Sequence, residues 1–140
     1  MNKLNEQLIK AAKEGNKEEV ERLINEGANV NARNDLALRW AAENGHFEIA
    51  KLIIENGANV NTKEDYALRL AAKNGHLKVV EYLIEKGANV NAKSSLALRW
   101  AAKKGHSKIV DLLVRNGADY SEIGFENLPV EAQMYILYFK

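Results

Sequence analysis

The sequence predicts an all-α protein in which short helix pairs stack side by side as a solenoid. One observation is an internal repeat of thirty residues, clearest at residues 36–61 and present twice more. Another is that each copy holds two segments with helix-spaced apolar residues, each ended by glycine. Because so small a helix pair cannot cover its own apolar face, neighbouring copies must bury it. The landmarks in register are Gly45, Gly75 and Gly105; Gly57, Gly87 and Gly117; His46, His76 and His106; Arg39, Arg69 and Arg99; and the Ala pairs that begin at Ala41, Ala71 and Ala101.

The first helix of each full repeat is short and rich in alanine. We expect Asp35, Asp65 and Ser95 to begin it, since their side-chain oxygens can accept hydrogen bonds from the free N–H groups at a helix start. About nine residues later it ends at a glycine that can adopt the positive φ of a helix terminus.

The second helix follows one residue later and carries most of the apolar side chains. We expect the histidine that precedes it to cap it and to bond to a neighbouring loop, with Asn16 in this role in the first repeat. The predicted core comprises Leu38, Leu68 and Leu98, the Ala pairs, Trp40, Leu70, Trp100, Ile49, Ile53, Val79, Leu83, Ile109 and Leu113.

The repeats divide the chain, residues 1–140, as a single domain into residues 1–30, 31–60, 61–90 and 91–120, followed by a tail, 121–140. Residues 1–30 form an altered copy that we expect to cap the stack, since polar residues stand where later copies are apolar. We therefore expect the stack to begin at this N-terminus. The polar replacements are Lys10, Lys17, Glu19 and Arg22.

Two stretches carry a family resemblance. NGHFEIAKLIIENGANVN, residues 44–61, resembles the second half of an ankyrin repeat, and LALRWAA, residues 36–42, takes the place of the Thr-Pro-Leu-His-x-Ala-Ala signature. The period is shorter than the usual one of about thirty-three residues, which implies that the projecting β-hairpin finger is reduced to a tight turn. This shortened form resembles the ankyrin arrays of large DNA viruses. The departures from the signature are Leu36, Tyr66 and Leu96 for Thr; Ala37, Ala67 and Ala97 for Pro; and Arg39, Arg69 and Arg99 for His.

The resemblance implies a non-enzymatic module that binds a partner protein on the concave side of the solenoid. The positions that match the family's usual contacts lie in the turns and on the first helices. Leu36, Tyr66 and Leu96 would add an apolar strip. The expected partner-binding residues are Arg33, Leu36, Arg39, Glu43, Lys63, Tyr66, Arg69, Lys73, Lys93, Leu96, Arg99 and Lys103.

The arginine on each first helix has two interpretations. Each guanidinium can pair with a carboxylate of its own or the adjacent turn, Asp35, Glu64 or Asp65. In the third full repeat serines replace those acids, so Arg99 is expected to be less neutralised than Arg39. Alternatively, the arginine row is a ladder for a phosphate backbone or an acidic peptide.

Composition limits the classes of function. The chain has 140 residues, 46% hydrophobic residues, a net charge of +1 and no cysteine. It shows neither a signal peptide nor eighteen consecutive apolar residues, so we expect an intracellular, cytoplasmic protein, in a host cytoplasm if it is viral or a bacterial effector. Residues 91–120 are basic, which indicates either a solvated face or a preference for acidic partners.

Nothing in the sequence favours catalysis or a metal site. Histidines thirty residues apart fall in successive helix pairs, too far apart to share a zinc ion. No paired nucleophile and no phosphate-binding glycine loop is present. We expect no cofactor, no small-molecule substrate and no membrane association, and we expect a monomer.

The tail predicts one further helix from Pro129 to about Phe139. Shifted by thirty residues, Leu128 matches Leu98 and Ala132 matches Ala102, which favours a degenerate first helix that closes the stack. Alternatively, this segment resembles the opening of an F-box, which recruits a ubiquitin-ligase adaptor. The residues that carry that resemblance are Leu128, Pro129, Glu131, Ile136 and Leu137.

Four functions thus remain open. A protein-binding module is the first, and an adaptor for ubiquitin ligation that uses the tail is the second. Binding of an acidic polymer is the third, although the pI of about 7.9 is low for a nucleic-acid binder. The fourth is an engineered scaffold without a natural partner, which irregular substitutions such as Ala50 beside Val80 disfavour.

Overall fold

A computed structural model describes residues 2–139, which form stacked helix pairs followed by a tail. Within this range no strand is present, so the predicted all-α class is confirmed. The pairs are α1 (Lys3–Glu14) and α2 (Lys17–Asn25), α3 (Ala32–Asn44) and α4 (Phe47–Glu55), α5 (Thr62–Lys73) and α6 (Leu77–Glu85), and α7 (Ala92–Lys103) and α8 (Ser107–Arg115). A 3-10 turn at Phe125–Asn127 and α9 (Val130–Tyr138) complete the tail.

The helix pairs stack in chain order. The first helices α1, α3, α5 and α7 pack along one side, and they contact one another much more extensively than the second helices α2, α4, α6 and α8 do. We call the exposed side of α1, α3, α5 and α7, with the turns at residues 31–35, 61–65 and 91–95, the first-helix face.

The core is a continuous column of aliphatic side chains, as a solenoid requires. Every predicted core leucine, isoleucine and valine is buried. Trp40 and Trp100 are not part of it, because both are only half-buried at the first-helix face. The fully buried side chains at the centre of successive helix pairs are Leu8, Leu23, Leu38, Ile53, Leu68, Leu83, Leu98 and Leu113.

The turn that opens each full repeat is left-handed. Residues 33–35, 63–65 and 93–95 have φ between 52° and 58°, and Asp35 N–H donates to Asn31 O at 3.1 Å across the turn. The tight turn that was expected between successive repeats is therefore present. Its left-handed conformation costs about 1–2 kcal/mol per residue when the residue is not glycine, so bonds elsewhere must compensate.

The predicted N-caps are wrong. No side-chain cap bond opens α3, α5 or α7. The Asp35 carboxylate is instead 5% exposed and accepts from Asn59 N–H at 3.0 Å, from the Thr62 hydroxyl at 2.6 Å and from Asn31 Nδ2 at 2.8 Å. The left-handed backbone of residue 35 thus places its carboxylate in a bonding network that reaches the next repeat.

The histidines join successive repeats. Nε2 of His46 donates to Lys13 O at 3.1 Å, Nε2 of His76 lies 2.9 Å from Glu43 O, and Nε2 of His106 lies 3.0 Å from Lys73 O. The expected bond to a neighbouring segment is therefore present, but the expected cap of the second helix is not. In the first repeat Asn16 does cap α2, since it accepts from Glu19 N–H at 3.1 Å.

The tail covers the end of the stack in an unexpected position. Leu128 and Ala132 are buried, with exposures of 5% and 0%, but α9 packs mainly on α8 rather than beside α7 as the first helix of another repeat would. The Arg115 guanidinium lies 4.8 Å from the centre of the Tyr135 ring and links α8 to α9. The predicted first-helix position of the tail is therefore wrong. No helix between residues 2 and 139 has the length and apolarity needed to span a membrane.

Candidate functional site

Three half-buried aromatic rings lie on the first-helix face, and cations accompany each of them. Lys13 Nζ is 4.3 Å from the centre of the Trp40 ring, and Lys73 Nζ is 4.9 Å from that of Trp100. Between them, Tyr66 receives two guanidinium groups from its own and the preceding repeat. Each ring is thus held by a cation–π contact, which limits its side-chain freedom.

Two depressions meet at Tyr66. The first has a volume of about 220 Å³, and the second has a volume of about 390 Å³. The first is lined by Leu36, Arg39, Trp40, Glu43, Tyr66 and Leu70. The second is lined by Lys63, Glu64, Tyr66, Arg69 and Lys93. Together they give this face apolar contact area next to positive charge.

The arginine row bonds to the carbonyl groups of the turns and not to the carboxylates of the turns. Arg39 donates from Nε to Asn34 O at 3.2 Å and from Nη2 to Arg33 O at 3.1 Å. Arg69 and Arg99 make the equivalent pairs of bonds to the carbonyls of residues 63, 64, 93 and 94. The expected pairing with Asp35, Glu64 or Asp65 is wrong, because the left-handed turn directs its carbonyls at the guanidinium.

Arg99 was expected to be less neutralised by carboxylates than Arg39, and the structure shows the reverse. Arg99 Nε lies 3.3 Å from a carboxylate oxygen of Glu122 in the tail. In residues 2–139 Arg39 has no carboxylate within ion-pair distance. The tail therefore neutralises the last arginine, a contact that thirty-residue spacing could not reveal.

Most of the predicted contact residues are accessible. Arg33, Lys63, Lys93 and Lys103 are exposed, and Leu36, Arg39, Glu43, Tyr66, Lys73, Leu96 and Arg99 are half-buried. Arg69 is only 7% exposed, and its guanidinium carbon lies 4.8 Å from the centre of the Tyr66 ring. The lysine–tryptophan contacts were not predicted, although the sequence indicates them. Lys13 and Lys73 each precede a tryptophan by 27 residues, whereas at the intervening boundary Glu43 precedes Leu70 by the same distance.

The F-box-like residues do not form one surface. Leu128 is buried, Pro129 and Ile136 are half-buried, and Glu131 and Leu137 are exposed. Leu128 is thus part of the core under the tail, whereas Leu137 is exposed.

Across residues 2–139 no three His, Asp or Glu side chains are grouped so that they could hold a metal ion. Burial raises the pKa of Tyr82, and the hydrogen bonds that Arg22 donates to the Glu19 and Glu26 carboxylates raise the pKa of Arg22. Both residues lie on second helices, away from the first-helix face.

The fold and this face place the chain among helical repeat proteins. A family model for ankyrin repeats in three copies matches residues 2–64 and 63–123. The chain therefore belongs to the ankyrin repeat family, whose members are generally non-enzymatic protein–protein interaction modules. A search of curated proteins finds no match.

Proposed function

We propose that this protein binds a partner protein on the first-helix face and catalyses no reaction. The observation that carries the proposal is the row of half-buried Trp40, Tyr66 and Trp100 rings, each held by a cation. Rigid aromatic side chains with little freedom to lose are the residues that dominate binding energy in interfaces.

The proposed binding mechanism is that the stacked repeats present an already ordered surface to the partner. Buried leucines, the Asp35 network and the histidine bonds connect each repeat to the next. A surface that is already ordered loses little conformational entropy when it binds. Moderate contacts over several repeats then suffice for useful affinity.

Site-specific photo-crosslinking tests the proposal. A photoreactive phenylalanine analogue replaces Tyr66 on the first-helix face or, as a matched control, Tyr82 on α6, and each variant is exposed to lysate of cells that express the protein. We expect one cross-linked protein from position 66 and not from position 82, and we expect Trp40→Ala to abolish it. Equal cross-linking from both positions, or persistence in Trp40→Ala with its helicity intact, would show that this face is not the binding surface.

An adaptor for ubiquitin ligation is a second candidate, supported by the tail. In the part of the chain that the structure describes, the large apolar side chains that are exposed all lie at residues 130–139: Val130, Met134, Leu137, Tyr138 and Phe139. A pull-down with the purified ligase adaptor tests it. Leu137→Ala is the informative variant, since Leu128→Ala would disturb the core, and no binding by the intact chain removes this candidate.

A further inference from the structure

Charge is segregated between the two sides of the stack. The first-helix segments, residues 2–15, 31–45, 61–75 and 91–105, hold twelve basic and six acidic side chains. The second-helix segments, residues 16–30, 46–60, 76–90 and 106–120, hold seven basic and ten acidic ones. Residues 121–139 hold three acidic side chains and no basic one. The near-neutral chain therefore has a distinctly positive first-helix side.

Three of the six acidic residues on that side are buried or closely paired. Asp35 and Asp65 are 5% and 4% exposed and point into the stack. Glu6 contacts Arg33 at 3.0 Å. Glu14, Glu43 and Glu64 remain accessible on this side, so its positive character comes from the twofold excess of basic over acidic side chains.

The exposed cations lie close to the apolar depression. Lys63 and Lys93 line the second depression. It meets the first depression, which is lined by Leu36, Trp40 and Leu70, at Tyr66. Lys93 is only weakly compensated, with its Nζ 3.9 Å from an exposed Glu64 carboxylate. A ligand with carboxylates and apolar side chains in alternation would satisfy both parts of this surface.

We propose that the partner presents an extended segment rich in Asp and Glu, with apolar side chains between them, to the first-helix face. Its carboxylates bind Lys63, Lys93 and the accessible edge of Arg39, and an apolar side chain enters the depression beside Trp40. This inference rests on the proposed function and specifies the partner's chemistry. Complementary charge of this kind raises the association rate and excludes basic partners.

Fluorescence anisotropy of the full chain tests the inference. The probe is a fluorescein-labelled, Glu-rich peptide with interspersed leucines, and its counterpart has Gln at every Glu. The variant Lys63→Glu/Lys93→Glu reverses two charges on the first-helix face. The matched control Lys17→Glu/Lys78→Glu makes the same change in net charge on exposed positions of α2 and α6.

We expect the Glu-rich peptide to bind at least about tenfold more tightly than the Gln peptide, the first-helix variant to lose about tenfold, and the control to lose far less. Rising salt should weaken binding, since exposed charges are screened within about 10 Å at 0.1 M. Equal binding of the two peptides, equal losses in the two variants, or tighter binding of a single-stranded oligonucleotide would overturn the inference. A cross-link confined to position 66 would still support the proposed function in that case.

Discussion

The ammonium group of Lys13 lies 4.3 Å from the centre of the Trp40 ring, across the boundary between the first and second repeats. Lys73 and Trp100 repeat this contact two units later at 4.9 Å. At the intervening boundary Glu43 and Leu70 take the two positions. Cation and aromatic ring thus occur together or not at all, which indicates that they act as a pair.

A double-mutant cycle should measure this pair. We expect Lys13→Gln and Trp40→Leu to be coupled by about 0.5–1 kcal/mol, the range of a partly exposed cation–π contact. Urea denaturation gives the four free energies of unfolding. Lys17→Gln on α2 is the control for Lys13→Gln, and a coupling below about 0.3 kcal/mol would remove the pair as a stabilising contact.

The Asp35 carboxylate should matter more than any exposed acid of the turns. Asp35→Ala removes the acceptor of the Asn59 N–H, in a part-buried hydrogen bond, together with the acceptor of the Thr62 hydroxyl, so we expect the free energy of unfolding to fall by about 2 kcal/mol. Asp35→Ser should lose less, because Ser95 accepts the equivalent bond from Asp119 N–H at 3.1 Å. Glu64→Ala on the exposed turn is the control, and an equal loss there would contradict this role.

Replacing Glu64 by glycine should relieve backbone strain in the left-handed turn. Glu64 has a φ of 55°, where alanine is strained and glycine is not. After the greater chain entropy of glycine is subtracted, we expect Glu64→Gly to be more stable than Glu64→Ala by about 0.5–1 kcal/mol. Thermal and urea unfolding of the two variants make the comparison, and equal stabilities would show that the turn is not left-handed in solution.

Gly45 and Gly105 have nearly the same backbone conformation, so replacing each by alanine distinguishes backbone strain from steric crowding by a neighbouring side chain. Gly45 has φ of 74° and an added Cβ would lie 2.5 Å from His76 Nδ1, whereas Gly105 has φ of 79° and nothing within 4 Å. Alanine should cost about 1–2 kcal/mol of backbone strain at both positions and a further 1–3 kcal/mol, roughly, at Gly45. If Gly105→Ala destabilises as much as Gly45→Ala, the histidine does not pack there.

The tail should stabilise the stack through one leucine. Leu128→Ala creates a cavity at a side chain that is 5% exposed, and we expect a loss of about 2–3 kcal/mol. Leu137→Ala, at a side chain that is 63% exposed, should change stability by less than about 0.5 kcal/mol. Similar losses in the two variants, measured by urea denaturation, would contradict the observed packing of the tail.

Several features of this protein were determined by local sequence pattern. The period, the helix pairs, the buried column that includes Leu38 and Leu68, and the tail helix after Pro129 all follow from apolar spacing and glycine positions. Such patterns act within one helix or between identical neighbours, so one chain contains the information needed to find them. The half-buried positions of Trp40 and Trp100 were missed, since helical spacing does not distinguish a core ring from one at the rim.

The partners of the polar side chains were decided by the tertiary structure alone. Arg39 bonds to turn carbonyls, Asp35 to the next repeat, His46 to the preceding one, and Glu122 to Arg99. Each of these contacts depends on the left-handed turn, on the stacking of successive repeats or on where the tail packs. Sequence shows which groups can donate or accept, but hydrogen bonds and ion pairs depend on distance and direction, and only the folded stack brings those atoms within about 3 Å of one another.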